Sequence, residues 1–263
     1  MSLKENQSPN INFKTKNIKR NSPFANTYTE EEKATLNGIN IFTYTFEDLL
    51  GPLNDVETKN APKRLYVAGK LPIPLPGPRL SVIGSRGASS EGLEDTKNIV
   101  KNLVRNGAIV VSGLARGIDT AAHKTAIEEG GDTIAVLGTP LDKTYPRENF
   151  QLQDLMMRQY MVISQFPFGY PTKPRDFVIR NRTMALISNA SIIIEAGDTS
   201  GSLHQGWEAL RLGKPLFIWK TLLKNTSINW PQKMLKYGAV ELSDPEEIFD
   251  YVPTYEGILN LGL

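Results

Sequence analysis

The chain has no cysteine and only two histidines among its 263 residues. Without cysteine there are no disulfides, thiol nucleophiles or Cys-based metal sites. Two histidines, His123 and His204, are too few for a His-rich metal site, so we expect neither a metal nor another cofactor. The formal net charge is only +2, so any nucleic-acid binding must come from local clusters of cations rather than from the overall charge.

Long apolar segments are also missing. No apolar run approaches the ~20 residues that a membrane-crossing helix requires. The N-terminal residues are polar and contain no apolar signal core. We therefore expect a cytoplasmic protein that does not interact with a membrane. A hydrophobic content of 40% is enough to bury one sizeable core, or one core with a small appendage.

Composition divides the chain into four predicted regions. Residues 1–27 are rich in Asn, Lys and Ser and are interpreted as a flexible tail. Residues 28–78 form a small N-terminal region that ends in a Pro-rich connector, where four prolines within seven residues prevent a helix or a strand ladder. Residues 79–252 are the main domain, and residues 253–263 are a C-terminal tail.

The main domain repeats one pattern, a short apolar run followed by a Gly turn and a helix. The apolar runs show little alternation, as is typical of strands buried on both faces of a sheet. The pattern predicts an α/β fold of the extended Rossmann-like type, doubly wound around a mostly parallel sheet. Such sheets bind ligands at the carboxyl ends of their strands. The six predicted strands are 80–83, 108–111, 133–137, 161–164, 191–195 and 215–219.

The first loop at a strand end contains Gly84, Ser85 and Arg86 and leads into a helix. Free N–H groups at such a helix start attract an anion, and a planar guanidinium suits phosphate. The loop does not follow the G-x-G-x-x-G pattern, so it carries no dinucleotide fingerprint. These features predict a phosphate-binding turn, with a tight turn that binds nothing as the alternative.

The second loop contains Gly113, Arg116 and Gly117, and it again joins a strand to a small-residue helix. We expect Arg116 to face the same ligand as Arg86. Asp119 has a structural alternative, the cap of the following helix. His123 lies one helical turn later, and because no nucleophilic Ser or Cys signature accompanies it, an Asp–His pair would order the helix rather than perform catalysis.

Three further loops complete the predicted site. In the third, an aromatic ring can stack on a base and an arginine can pair with a phosphate. In the fourth, an Arg-rich segment lies just before a helix predicted to begin at about Thr183. The fifth is a hydroxyl-rich turn that opens a helix and suits a phosphate. The alternatives are a surface loop, an internal ion-pair network and a capped helix. The predicted site residues here are Tyr145, Arg147 and Asn149, then Arg180, Asn181 and Arg182, then Ser200, Gly201 and Ser202.

These motifs occur in an order and at spacings that resemble one known family. They are Gly84-Ser85-Arg86, the run from Ser112 to Asp119, Tyr145-Pro146, Arg180-Asn181-Arg182 and Ser200-Gly201-Ser202. Together they resemble the DprA/Smf (DNA-processing) family over residues 80–219. The resemblance implies binding of single-stranded DNA without sequence preference, and loading of the recombinase RecA during natural transformation in competent cells. It further implies a homodimer, with Arg86 and Arg147 as DNA contacts.

Two other functions remain open from the sequence. Related LOG-type nucleoside-monophosphate phosphoribohydrolases carry a Pro-Gly-Gly-x-Gly-Thr-x-x-Glu turn, whereas this chain has Glu195-Ala196-Gly197 there and Glu208 falls too late to match. We therefore predict that the protein is not an enzyme, with a nucleotide-binding or nucleotide-processing enzyme or sensor as the alternative. An interaction protein that uses Trp207 or Trp230 is the third reading.

Overall fold

A computed structural model describes residues 12–13 and 34–252 of the chain. Within these ranges eleven strands form one sheet. In chain order they are β1 (Asn12–Phe13), β2 (Ala34–Leu36), β3 (Ile39–Tyr44), β4 (Leu65–Gly69), β5 (Arg79–Ile83), β6 (Ile109–Ser112), β7 (Thr133–Leu137), β8 (Met161–Ser164), β9 (Ala190–Ile193), β10 (Leu216–Trp219) and β11 (Val240–Leu242). Across the sheet the order is β1-β2-β3-β4-β8-β7-β6-β5-β9-β10-β11.

The central strands are parallel, from β8 across to β11. They include all six predicted strands, so the predicted α/β class and mostly parallel sheet are confirmed. The order of strands reverses at β5, which pairs with β6 on one side and with β9 on the other. In open α/β sheets a crevice forms at such a switch point, outside the carboxyl ends of the strands. The fold therefore places its natural ligand site between the loops after β5 and β9.

Helices cover both faces of the sheet. In chain order they are α1 (Phe46–Leu50), α2 (Asp55–Asn60), α3 (Ser90–Arg105), α4 (Ile118–Glu128), α5 (Phe150–Gln159), α6 (Pro174–Ile187), α7 (Ser202–Arg211), α8 (Lys220–Lys224) and α9 (Trp230–Lys236). On one face, Val110 and Ile192 belong to a core that includes residues of α3 and α4, and Val162 packs in a neighbouring cluster with Met156 of α5. On the other face, Val111 and Ile193 share a core with residues of α6 and α7.

None of the helices in the described ranges is long and apolar enough to cross a membrane.

The sheet and its core continue across the Pro-rich connector. β4 pairs antiparallel with β8, with Val67 opposite Ile163. Phe46 and Leu49 of α1 are buried in the same apolar cluster as Ile163. The four predicted regions stay a prediction, but residues on both sides of the connector share one core. The tails predicted at 1–27 and 253–263 lie outside the described residues, apart from β1, whose backbone pairs with β2.

The prediction that a helix begins near Thr183 is wrong, because α6 begins at Pro174. Proline is favoured at the first helical position, where no N–H is needed for a hydrogen bond within the helix. The Asp176 side chain accepts a hydrogen bond from the Lys173 backbone N–H at 2.6 Å and holds this start. The predicted Arg180–Arg182 segment is therefore helical, and successive side chains point about 100° apart around the axis.

Candidate functional site

A cleft of about 850 Å³ opens at the switch point between β5 and β9. The loop after β5 and the turn before α7 both line it. Nine of the fifteen predicted site residues contribute to its wall, namely Gly84, Ser85, Arg86, Tyr145, Arg180, Asn181, Ser200, Gly201 and Ser202. The sequence thus predicted the rim of the sheet and nine of the residues that meet there.

An aromatic and cationic platform lies at the cleft, made by Tyr145, Phe177 and Arg86. The Tyr145 and Phe177 ring centroids are 5.2 Å apart, and the Tyr145 side chain is 49% exposed. The Arg86 guanidinium carbon lies 5.9 Å from the Phe177 centroid, within cation–π range. Phe177 was not among the predicted site residues. Its position between arginines in the sequence was the one signal that pointed to it.

Further exposed side chains add to the cleft wall. Lys143 and Lys173 line it, as does His204 in the first turn of α7, and none of the three is among the fifteen predicted site residues. Within the described part of the chain, Arg86, Lys143 and Lys173 form no ion pair with a carboxylate. These three cations are therefore available to an anionic ligand.

A buried ion network forms the floor of the cleft. Arg180 is only 5% exposed, and its Nη1 donates to the Gly113 carbonyl at 2.7 Å and to the Val136 carbonyl at 2.6 Å. Asp119, only 6% exposed, accepts from the N–H groups of Gly113 at 3.2 Å and Ala115 at 3.3 Å. Burial raises the pKa of Asp119, and the positive charge of Arg180 opposes this shift. The network ties the second loop to the ends of β6 and β7.

The network also settles two alternatives from the sequence. Asp119 does not cap α4, because the N-cap residue is Gly117 and no side chain in the described part of the chain caps the helix. Asp119 instead holds the loop that precedes the helix. Arg180 braces strand ends from within the protein and also lines the cleft, and its predicted contact with a phosphate stays a prediction.

Six predicted site residues do not line the cleft. Two of them are arginines paired with a carboxylate: Arg116 donates to Glu148 at 2.8 and 2.6 Å, and Arg182 to Glu208 at 3.0 Å. Asn149 is buried and serves the second loop, because its Nδ2 donates to the Leu114 carbonyl at 2.9 Å. The other three are Gly113, Gly117 and the exposed Arg147. Contacts of all fifteen predicted site residues with nucleic acid stay a prediction, whether or not they line the cleft.

The carboxylates required by the hydrolase alternative are engaged elsewhere. Glu195 accepts a hydrogen bond from the Ser89 hydroxyl at 2.5 Å. Glu208 pairs with Arg182 and Arg211. Among the described residues, Asp119 is the one carboxylate that lines the cleft.

His123 is buried beside this network and does not pair with Asp119. Its Nδ1 lies 2.7 Å from the Thr133 hydroxyl, which donates its hydrogen to the Val110 carbonyl at 2.9 Å. The hydroxyl therefore accepts from Nδ1–H, and Nε2 carries the lone pair. Nε2 is buried and has no hydrogen-bond partner among the described residues. Burial, together with the positive charge of Arg180, lowers the pKa of His123 to about 3.

This pKa predicts that acid destabilises the protein. Below pH ~6.5 the unfolded chain protonates His123 while the folded chain does not, so the free energy of unfolding falls by about 1.4 kcal/mol per pH unit. The loss begins near the unfolded pKa and continues down to the folded value of about 3. Urea unfolding at pH 7 and pH 5 should show a His123 contribution of about 2 kcal/mol.

Two variants isolate that contribution. His123→Gln should reduce the pH dependence of the unfolding free energy by about that amount. His204→Gln, at an exposed position, should leave it unchanged. Equal pH dependence in His123→Gln and the parent protein would contradict the assignment.

Comparison with known proteins adds the family. The chain matches the family model described as DNA recombination-mediator protein A over residues 43–253. It is 31% identical over 194 residues to DNA processing protein DprA of Bacillus subtilis, covering 73% of this chain and 65% of that protein. It is 39% identical over 161 residues to DNA processing protein DprA of Streptococcus pneumoniae, covering 61% of this chain and 56% of that protein. The chain thus spans less than two thirds of either relative.

Solved structures share the fold. DNA processing protein A from Streptococcus pneumoniae superposes with a TM-score of 0.68 at 29% identity, covering 81% of this chain and 75% of that one. The protein from Helicobacter pylori superposes with a TM-score of 0.64 at 25% identity, covering 79% and 94%, and that structure concerns its single-stranded DNA binding mode. These matches confirm the resemblance seen in the motifs. Because the family model covers most of the chain, the protein belongs to the DNA recombination-mediator protein A family, whose relatives are named DprA or Smf.

Proposed function

We propose that this chain binds single-stranded DNA in the cleft, without sequence preference. The observation that carries the proposal is the platform of Tyr145, Phe177 and Arg86 at a cleft also lined by Lys143 and Lys173. Aromatic faces beside unpaired cations are what a sequence-tolerant single-strand site requires. Membership of the family, and the DNA-binding subject of the Helicobacter pylori structure, support the same function.

The parts of the cleft suit different parts of a strand. A base stacks on the exposed Tyr145 ring, which is worth about 1–3 kcal/mol per base and tolerates any base. Phosphates pair with Arg86, Lys143 and Lys173, and the N–H groups of the small-residue turns provide further donors. Contacts of this kind fix the position of the strand and do not read its sequence.

Arg86→Ala is expected to weaken binding of single-stranded DNA by about tenfold or more, since a hydrogen bond to a charged group contributes about 1.5–3 kcal/mol. The salt dependence should fall as well, because each phosphate contact on a single strand contributes about 0.7 to the log–log slope. Fluorescence anisotropy with labelled oligothymidylate and with a mixed sequence, between about 50 and 200 mM salt, measures both quantities. A duplex and a mononucleotide are titrated in parallel.

Arg105→Ala is the matched control. It removes the same charge from an exposed position in the last turn of α3, at the opposite rim of the sheet. Equal affinities for Arg86→Ala and Arg105→Ala would show that the cleft does not hold the strand. Tighter binding of the duplex than of the single strand would contradict the proposed substrate.

Two finer roles follow from the resemblance and are part of the proposal. The first is that the bound strand is passed to a RecA-type recombinase during DNA uptake. The second is that the chain acts as a homodimer. The second role is supported by an exposed aromatic surface, since Tyr237 is 67% exposed and packs edge-on against Trp207, with the ring centroids 5.4 Å apart. Light scattering in solution measures the mass, and a recombinase filament assay with coated DNA measures the loading.

One observation favours a second candidate, a nucleotide-binding enzyme or sensor. The cleft volume lies within the range of small-molecule sites, and the buried Asp119 lines it. The engagement of Glu195 and Glu208 outside the cleft counts against glycosidic cleavage. Incubation with nucleoside monophosphates tests this candidate, since release of free base would establish an enzyme.

A further inference from the structure

The Arg116 guanidinium binds the Glu148 carboxylate through two parallel hydrogen bonds, as a guanidinium binds a phosphate. Arg116 Nε donates to Glu148 Oε1 at 2.8 Å, and Nη2 donates to Oε2 at 2.6 Å. Guanidinium groups bind phosphates through the same planar fork. Glu148 therefore engages the two N–H donors, Nε and Nη2, through which Arg116 would otherwise bind a phosphate.

The pair lies next to the cleft. Ala115, the neighbour of Arg116 in the chain, lines the cleft. On the other side, Gly117 packs against the backbone carbonyls of Ser85 and Arg86. Tyr145, which lines the cleft, lies three residues before Glu148 in the chain. The guanidinium is thus within the neighbourhood of a strand whose base stacks on the Tyr145 ring.

Folding stability does not explain this pair. The two side chains are 60% and 51% exposed. Exposed ion pairs contribute little to stability, because water and salt screen them. Breaking the pair therefore costs little free energy when another anion binds the guanidinium.

We propose that Glu148 competes with a DNA backbone phosphate for the Arg116 guanidinium, and so limits how tightly the protein holds a single strand. The inference rests on the proposed function of the cleft. In the free protein Arg116 is paired with Glu148. In the complex the phosphate takes both donors and Glu148 turns to solvent, which adds one phosphate contact beyond those made in the cleft.

Glu148→Gln tests the proposal, because it removes the charge of the competitor and keeps its size. We expect single-stranded DNA to bind roughly threefold to fivefold tighter, which is the affinity that an exposed ion pair can withhold. Anisotropy titrations of oligothymidylate over a salt series give the affinity. Adding Arg116→Ala to Glu148→Gln should abolish the gain and lower the log–log salt slope by about 0.7, since one phosphate contact is lost.

Glu128→Gln is the matched control. It makes the same change in net charge at an exposed position at the end of α4, on the opposite rim of the sheet. Binding by Glu128→Gln should equal that of the parent protein. A gain of the same size in Glu128→Gln would overturn the proposal, because general charge would then explain the effect.

Three further outcomes separate this inference from the proposed function. If the parent protein binds single-stranded DNA but Glu148→Gln binds no tighter, the competition is refuted while the function stands. If the gain survives in the Arg116→Ala/Glu148→Gln double variant, Arg116 is not the group that Glu148 occupies. If the parent protein binds no single-stranded DNA at any salt concentration, the proposed function itself fails. Thermal unfolding of each variant checks that the fold is intact.

Discussion

Replacing Arg180 with methionine is expected to lower the free energy of unfolding by about 3–5 kcal/mol, because it leaves a buried carboxylate and two buried carbonyl groups without compensation. Arg180 and Asp119 are both buried, and the charge of each acts on the pKa of the other against the effect of burial. The Arg180 Nη1 also serves the carbonyls of Gly113 and Val136. Without it, a buried carboxylate loses its nearby positive charge and two strand-end carbonyls lose a donor.

Urea unfolding at neutral pH measures this loss. Arg182→Met is the control, because it makes the same change two residues along the same helix. Arg182 is half-exposed and pairs with Glu208 near the surface, so its loss should cost no more than about 1 kcal/mol. Adding Asp119→Asn to Arg180→Met should recover at least ~0.5 kcal/mol, since the unpaired charge is then gone. Similar losses for Arg180→Met and Arg182→Met would show that the buried pair is not a main support of the cleft.

Gly117→Ala is expected to lower the free energy of unfolding by about 3 kcal/mol and to abolish binding of single-stranded DNA. Gly117 has φ +68° and ψ −123°, a backbone conformation that residues with a side chain rarely adopt. A Cβ atom there would overlap the carbonyl oxygen of Ser85 and lie 2.9 Å from that of Arg86. These contacts are with backbone, so relief requires the loop after β5 itself to move.

Gly87→Ala is the matched control for this substitution. Gly87 lies in the loop after β5 and lines the cleft, yet a Cβ atom there would meet nothing within 4 Å. Its unfolding free energy should stay within about 0.5 kcal/mol of the parent value. Unfolding and oligonucleotide titration are measured on both variants. Unchanged stability and binding in Gly117→Ala would contradict the close packing of the two loops.

The sheet could be predicted from sequence because its strands are short apolar runs with glycines after them. Burial on both faces removes alternation, and this signal survives without knowledge of the partners of each strand. The rim at which the loops meet follows from the direction of parallel strands alone. The start of α6 could not be predicted in this way. Its polar positions include Arg180 and Asn181, which are buried, so the apolar periodicity of the helix is broken.

Which arginines are paired and which are free could not be predicted from the sequence, for a different reason. Arg116 and Arg182 pair with Glu148 and Glu208, which lie 32 and 26 residues away along the chain. A loop rich in arginine looks the same whether its cations are free or paired. Arg86 forms no ion pair within the described ranges, whereas Arg116 and Arg182 do. This difference depends on how elements that are remote in sequence pack together.

The switch in strand order has one further consequence. Ile83 at the end of β5 pairs with Ile193 at the end of β9, so the cleft lies above a seam between two stretches of chain that are distant in sequence. Arg86 and Tyr145 line the cleft on one side of this strand pair, and the turn from Gly197 to His204 lines it on the other. A ligand that contacts both sides stabilises the pairing of β5 with β9, because it binds only when the two strands are paired. At a hundred times its dissociation constant it would add about 2.7 kcal/mol to the free energy that keeps them together.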